Sequence, residues 1–254
     1  MTHRARKFIA LADPHIPYHD EAAMEIASRV VEHVKPELVV VLGDVLDCTQ
    51  FSTHPPVWGL DETDFEDDTE TANKWLDRLQ KACGRLVMLE GNHENRIHLW
   101  AAQTREGRGA RKSLAPRRRL SAGRTNFLYI PYNNLDGQYP HYKVNHRICA
   151  VHGWSYAQNA TKRHLDLSQG KSILHGHTHR GDMVPRQQVW AKGIIQARSC
   201  GCLCRRVPLY GVGSPVDWVN MLVLGYMGRR SDTMYSILFE EDRCILPDGK
   251  EIAA

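Results

Sequence analysis

Residues 37–47 read Glu-Leu-Val-Val-Val-Leu-Gly-Asp-Val-Leu-Asp, and this stretch decides the fold. Every residue from Leu38 to Leu42 is apolar, so an extended segment here needs cover on both faces, as a parallel strand buried between two layers does. The run stops at Gly43-Asp44, and ligands of parallel sheets gather beyond the carboxyl ends of the strands. Upstream, Glu21 to Val34 has apolar residues at helical spacing, and Lys7 to Ala12 is another apolar run, ending at Asp13. The result is a strand, helix, strand unit with Asp13 and Asp44 both at strand ends.

Phe51 to Leu60 carries Pro55, Pro56 and Gly59 and is expected to be loop, and the acidic stretch after it opens a helix over Asp64 to Ala82. Arg85 to Leu89 predicts a strand that delivers Gly91-Asn92-His93, followed by a helix from Glu94 to Gln103 and a basic segment containing Gly and Pro. Phe127 to Ile130, Tyr142 to Val144 and Arg147 to Val151 read as strands, the last ending at His152. A helix is expected over Ser155 to Leu165, then a short strand, Ser172 to Leu174, ending at Gly176-His177-Thr178-His179, and mainly strands in the C-terminal third. With no repeat and no linker, residues 1–254 read as a single α/β domain, a sheet sandwich with helices outside.

No apolar run approaches the roughly 18 residues needed to cross a bilayer, so no membrane is expected. The N-terminus reads as a first strand and not a signal peptide. Seven cysteines follow no small-scaffold spacing and suit reduced thiols in a cytoplasm. Cys200, Cys202 and Cys204 alternate, placing them on one strand face. That spacing differs from ordinary zinc sites, so they read as a thiol-rich core face. The net charge of +4 fits weak attraction to anions without choosing one. The fourteen histidines say more, because several sit in short clusters beside Gly, Asp or Asn.

Five such segments stand at predicted strand ends: Asp13-Pro14-His15, Gly43-Asp44-Val45-Leu46-Asp47, Gly91-Asn92-His93-Glu94, His152-Gly153 and Gly176-His177-Thr178-His179. An Asp-x-His alone is commonly a turn with a surface histidine, and a single buried histidine is commonly satisfied by the core. Two histidines facing one way after an apolar strand are harder to explain so, and strand geometry carried into the loop would pair Asp13 with His15 and His177 with His179. Together the five point to bound metal. Carboxylate, amide and imidazole ligands suit Mn, Fe, Co, Ni or Zn better than Mg or Ca.

In their order D-x-H, G-D-x-x-D, G-N-H-E, H-G and G-H-T-H, these blocks resemble the calcineurin-like metallophosphoesterase superfamily, in particular its small bacterial and bacteriophage-type members. The resemblance implies a four-layer α/β/β/α sandwich and two divalent ions, manganese foremost. It implies Asp13, His15 and His179 on the first ion, Asn92, His152 and His177 on the second, and Asp44 bridging. His93 is implied to be catalytic and Asp47 to orient His93 or a ligand histidine, with a loop cap as the plainer role for Asp47. Two such ions clamp a phosphate and supply a hydroxide nucleophile. Hydrolysis of a phosphomonoester or phosphodiester is therefore expected. Protein phosphatases of the superfamily usually continue the second block with Arg-Gly, where this chain has Cys48-Thr49-Gln50 after Asp47, which favours other substrates.

Arg105, Arg108, Arg111, Lys112, Arg117, Arg118, Arg119 and Arg124 stand against Glu106 alone between positions 105 and 124. Arg117, Arg118 and Arg119, with Arg96, are candidates to hold a nucleotide or nucleic acid through its phosphates. The plainer reading is a solvated, mobile loop balancing the acidic stretch Asp61 to Glu70. Tyr132, Trp154 and Tyr156 are candidate stacking platforms, and Lys162, Arg163 and His164 could face a phosphate or form a solvated helix face. The rivals are a protein phosphatase, a non-catalytic scaffold, and a nucleic-acid-binding module on the same fold.

Overall fold

A computed structural model describes residues 4–53, 64–133, 138–189, 193–207 and 216–254. The first half alternates strand and helix: β1 (Arg6–Leu11), α1 (Glu21–Val34), β2 (Leu38–Val41), α2 (Phe65–Ala82), β3 (Leu86–Leu89), then α3 (Asn92–Gln103), α4 (Arg105–Leu114), α5 (Pro116–Ser121) and β4 (Phe127–Ile130). The second half contains β5 (Tyr142–Lys143), β6 (Ile148–Val151), α6 (Ala160–Asp166), β7 (Ser172–His175), β8 (Met183–Gln187) and β9 (Ile194–Ser199). It ends with β10 (Met221–Met227), β11 (Asp232–Leu238), β12 (Arg243–Ile245) and β13 (Glu251–Ala253).

Two large sheets result, one in the order β11-β10-β1-β2-β3-β4 and one in the order β5-β6-β7-β9-β8. Strands β1 to β4 pair in parallel, as the double-faced apolar runs require. Alternation along them builds two cores. Phe8, Ala10, Val40 and Val87 face inward and pack with Ile148, Ala150 and Leu174 of the second sheet. Ile9, Leu11, Val39, Val41, Leu86 and Met88 face outward against Ile26 and Val30 of α1 and Leu76 and Leu79 of α2. Each buried Val, Leu, Ile, Met or Phe among them contributes about 1.5–3 kcal/mol, enough to fix the register. On the other flank, Leu165 of α6 packs with Cys149, Val151 and Ile173. The layers are therefore α/β/β/α.

Helix α1 starts where Asp20 accepts from the Ala23 amide at 2.9 Å, and α2 where Asp64 accepts from Glu66 at 2.7 Å. Three expectations need correction. The basic segment is not a loop: Thr104 caps α4 through the Gly107 amide at 2.9 Å, and Pro116 starts α5. Helix α6 begins at Ala160 and not at Ser155. Cys200, Cys202 and Cys204 follow the end of β9 and are not in a strand, although all three are buried. Their segment bridges Asn220 and His19 instead, and Asn220 Nδ2 donates to the carbonyls of Cys202 and Cys204 at 3.3 and 2.8 Å. The loop with Pro55, Pro56 and Gly59 lies outside the described residues.

Candidate metal centre

The segments leaving β1 and β2 stay zipped beyond their strands, with His15 N donating to Asp44 O at 2.9 Å and Ile16 N to Val45 O at 2.8 Å. The carboxylates then tie in the remaining blocks. Asp13 Oδ2 accepts from His177 N and Asp44 Oδ1 from His93 N, each at 2.8 Å. Asn92 and His93 occupy the first turn of α3, so the helix begins earlier than the sequence reading placed it.

The candidate ligand residues do not continue strand geometry. Asp13, His15, Asp44, His177 and His179 all lie in the left-handed region, with φ of 53°, 51°, 50°, 69° and 60°. Non-glycine residues rarely adopt it, and each costs on the order of 1–3 kcal/mol unless the surroundings impose it. Five in one place is strain concentrated where a site would use it. The kinked backbone also separates the two histidines of the last block. Ligand atoms of Asp13, His15 and His179 converge within 4.8 Å of one another, as do those of Asp44, His152 and His177. Asp13 and His15 thus share a group as the spacing suggested, whereas His177 and His179 do not.

Tautomer logic shows which nitrogens are free to bind. His152 Nδ1 donates to Leu42 O at 2.8 Å, leaving Nε2 to face His177 Nδ1 at 3.2 Å and Asn92 Oδ1 at 2.8 Å. His15 Nδ1 lies 3.0 Å from Asp47 Oδ2, and its Nε2 faces His179 Nε2 at 3.1 Å. Outer nitrogens satisfied and inner nitrogens convergent are what metal-ligating histidines show. Asp13 Oδ1, buried without a hydrogen-bond partner among the described residues, adds an acceptor suited to a cation. Asp44 joins the halves: its Oδ2 lies 3.7 Å from His15 Nε2 and 3.3 Å from His152 Nε2.

Electrostatics follow from burying like and unlike charges together. Burial, opposed by His152 and reinforced by Asp44, pushes the Asp13 carboxyl up to about 7. Burial lowers His152, but the carboxylates of Asp44, Asp13 and Glu94 together raise it to about 9. Asp44 itself is held well below the carboxylate range despite burial, by His152 and His93. Burial and neighbouring histidines lower His177 to about 3 and drive His179 far down. Both rings are therefore neutral, as ligands must be.

Asp47 Oδ2 accepts from His15 Nδ1 at 3.0 Å and lies 3.2 Å from His93 Nδ1, so it sits against both a candidate ligand and the candidate catalytic ring; its Oδ1 accepts from Thr49 Oγ1 at 2.6 Å. Although burial opposes ionisation, those contacts hold its carboxyl far below the ordinary value. His93 Nδ1 donates to Asp47 O at 3.0 Å, and Arg96 brackets the ring, with Nη1 2.9 Å from that carbonyl and Nη2 3.2 Å from His93 Nε2.

Arg119 is committed elsewhere, forked onto Glu66 at 2.5 and 2.6 Å beside Phe65. Arg117 and Arg118 are exposed on α5. Lys162 pairs with Asp166, and His164 is buried in a stack on His175, so neither faces the centre. Trp154 packs against Tyr139 and His164, whereas Tyr156 lies over the His177 ring at 3.9 Å and is 68% exposed.

Two contributors escaped the sequence reading. Glu94, quoted only as part of a block, is buried and accepts from the amides of Asp44, Leu46 and Gly91 at 3.0, 2.9 and 2.8 Å, with its carboxyl pushed up to about 7 by burial and by Asp44. Its signal was adjacency to the histidine. Cys204 Sγ lies 3.8 Å from His179 Nδ1, and Cys202 joins them within 4.8 Å. Only the fold brings these thiols to that histidine. The close approach of Gly91 to Asp44 is equally strict, since a Cβ there would overlap Asp44 Oδ1.

No curated protein matches this chain in sequence. Among solved structures, vacuolar protein sorting 29 from Cryptosporidium parvum superposes on 99% of this chain and 97% of its own, at 11% identity and a TM-score of 0.52. Zn-complexed Vps29 from Entamoeba histolytica covers 98% and 97% at 12% identity and a TM-score of 0.45. The E. coli phosphoesterase Yfce covers 97% of each at 16% identity and 0.39. At these identities the first likeness speaks to the fold alone. The family model for calcineurin-like phosphoesterases matches residues 6–181, more than half of the chain and every residue that converges here from Asp13 to His179. The chain is a member of the calcineurin-like phosphoesterase family.

Proposed function

We propose that this protein is a dinuclear-metal hydrolase of phosphomonoesters or phosphodiesters, with nucleotides or nucleic acid favoured over phosphoproteins. The observation that carries the reading is Asp44 Oδ2, approached at 3.7 and 3.3 Å by ring nitrogens of two separate histidine groups. A carboxylate so placed can neutralise two dications at once. Asp13, His15 and His179 would hold one ion and Asn92, His152 and His177 the other. The oxygen, amide and imidazole donors favour Mn, with Fe, Zn, Ni or Co as alternatives. When bound, such ions polarise the phosphoryl oxygens and supply the nucleophile from water.

The chain's own residues do the rest. With Nδ1 of His93 donating to Asp47 O, its Nε2 is the nitrogen that faces Arg96 Nη2 at 3.2 Å, and a proton carried on Nε2 once a phosphate takes up Arg96 would be positioned for the leaving oxygen. Arg96, beside the same Nε2, is placed to meet a phosphate oxygen. Tyr156 offers an exposed ring at the rim for a base or other planar group. Arg105, Arg108, Arg111, Lys112, Arg117 and Arg118 are all exposed on α4 and α5, which supports a polyanionic substrate.

The test is a Mn-reconstituted sample screened on bis-p-nitrophenyl phosphate, p-nitrophenyl phosphate, cyclic nucleotides, single- and double-stranded nucleic acid and phosphopeptides, alongside His93→Ala. The variant should keep its metal and lose roughly two to four orders of magnitude in kcat, with a smaller loss for p-nitrophenolate than for an alkoxide leaving group. Turnover of phosphopeptides alone would favour the protein-phosphatase reading. Absence of turnover in a fully loaded sample would favour a scaffold or binding module.

A further inference from the structure

The end of the sandwich opposite Asp13 and Asp44 holds a second concentration of phosphate-recognising chemistry. A cleft of about 390 Å³ is lined there by Arg4, Arg6, Arg147, Arg229, Asn145 and His146, with Met227 and Gly228 also contributing. Arg6 stands at the amino end of β1, seven residues before Asp13, so the cleft lies roughly 20 Å from the metal centre at strand rise. It shares no residue with that centre.

Arg6 is on the same face of β1 as Phe8, which belongs to the core between the sheets, so alternation turns Arg6 toward the mouth between them. Its cross-strand partner is Met227, which belongs to the same core. Arg147 closes the opposite side. Its guanidinium holds Asp232 through Nε and Nη2 at 2.6 Å each, bonds Gly228 O at 2.8 Å and contacts His146 Nε2 at 2.9 Å, while Asn145 Nδ2 donates to Asp232 at 3.1 Å. The Arg147 charge is therefore met by Asp232. The side chains of Arg4, Arg6 and Arg229 form no ion pair or hydrogen bond with any described residue, so three guanidinium charges border one concavity without an acid of their own.

We infer that this cleft is a binding site for a compact anion carrying two or more phosphate groups. Guanidinium forks match phosphate oxygens bidentately, and a net charge of three suits a diphosphate better than a carboxylate or a single phosphate. The volume is of the size that takes small ligands. The site stands independently of the reaction proposed for the metal centre.

Isothermal titration with pyrophosphate at near-physiological salt tests it on three full-length proteins: wild type, Asp44→Asn, and Arg6→Gln with Arg229→Gln. Affinity should persist in Asp44→Asn and fall about tenfold or more in the double arginine variant, as loss of two charge-assisted contacts predicts. Hydrolysis of bis-p-nitrophenyl phosphate by the double variant should match wild type, which also reports that it is folded. Binding that vanishes in Asp44→Asn, or is unchanged in the arginine variant, would overturn the site. Inorganic phosphate binding as tightly as pyrophosphate, or a short oligonucleotide displacing pyrophosphate at lower phosphate concentration, would overturn its assignment to a compact multiphosphate.

Discussion

Cys204 Sγ lies 3.8 Å from His179 Nδ1, on the side of the ring away from His15 Nε2. Metal-ligating histidines pass their outer N–H to a carboxylate, carbonyl or water, and here a thiol takes that place. Cys204→Ala should weaken the first-group metal about tenfold, within the range seen for such outer contacts. Cys204→Ser, which keeps an acceptor, should stay near wild type. Chelator competition reads both. A sulfur-to-metal charge-transfer band in the Co²⁺ form would instead make Cys204 a direct ligand.

Gly91→Ala should cripple the centre without touching a ligand, because the new Cβ would overlap Asp44 Oδ1 and crowd the Asp44 amide. Overpacking of this kind costs about 1–3 kcal/mol. The expected result is a folded protein by circular dichroism with a lowered Tm and depleted metal at both groups. Normal metal content would show that Asp44 can move aside and still bridge.

The layered sandwich was legible because Leu38 to Leu42 is apolar on both faces and because Asp13, Asp44, His152 and His177 follow such runs. That Asp13, His15, Asp44, His152, His177 and His179 would gather at one end of the sheets was legible for the same reason. The left-handed turns were not, since Asp and His carry no strong signal for φ above zero, and these turns split His177 from His179 between two groups. The helices α4 and α5 were hidden by Gly107 and Pro116. Gly107 sits where a Cβ would meet Ala101 and Thr104, and Pro116 opens α5, so both mark helix starts in a segment whose charges suggested loop. The place of Cys204 depends on a bridge to His19 and on Asn220, both remote in sequence.

Metal loading should release protons in a predictable direction. Asp13 and His152 are raised to about 7 and 9, so below those values each holds a proton in the metal-free protein that a dication must displace. Near pH 6 loading should liberate about two protons per chain, and apparent affinity should fall as pH drops. For Asp13 the folded value lies above the unfolded one, so its contribution to metal-free stability is present at low pH and fades as pH rises through about 7. Calorimetry in buffers of different ionisation enthalpy measures the release. No proton release at pH 6 would contradict the assignment of both groups as ligands.

Arg117→Ala with Arg118→Ala should raise KM for nucleic acid and flatten its salt dependence, leaving p-nitrophenyl phosphate unaffected. Arg119→Ala should differ, because its guanidinium is forked onto Glu66: it should lower stability by about 0.2–1 kcal/mol, as exposed pairs do, with little effect on KM. Identical salt dependence in wild type and the Arg117/Arg118 variant would leave these helices as a solvated face.

The most direct measurement is the phosphodiesterase activity of chelated protein titrated with Mn²⁺, with bound metal counted by elemental analysis. Two groups sharing Asp44 predict that activity reaches its plateau at about two ions per chain, and that Asp44→Asn loses metal from both groups together with activity. A plateau at one ion per chain, or an Asp44→Asn variant that still binds two and turns over normally, would contradict the shared dinuclear centre.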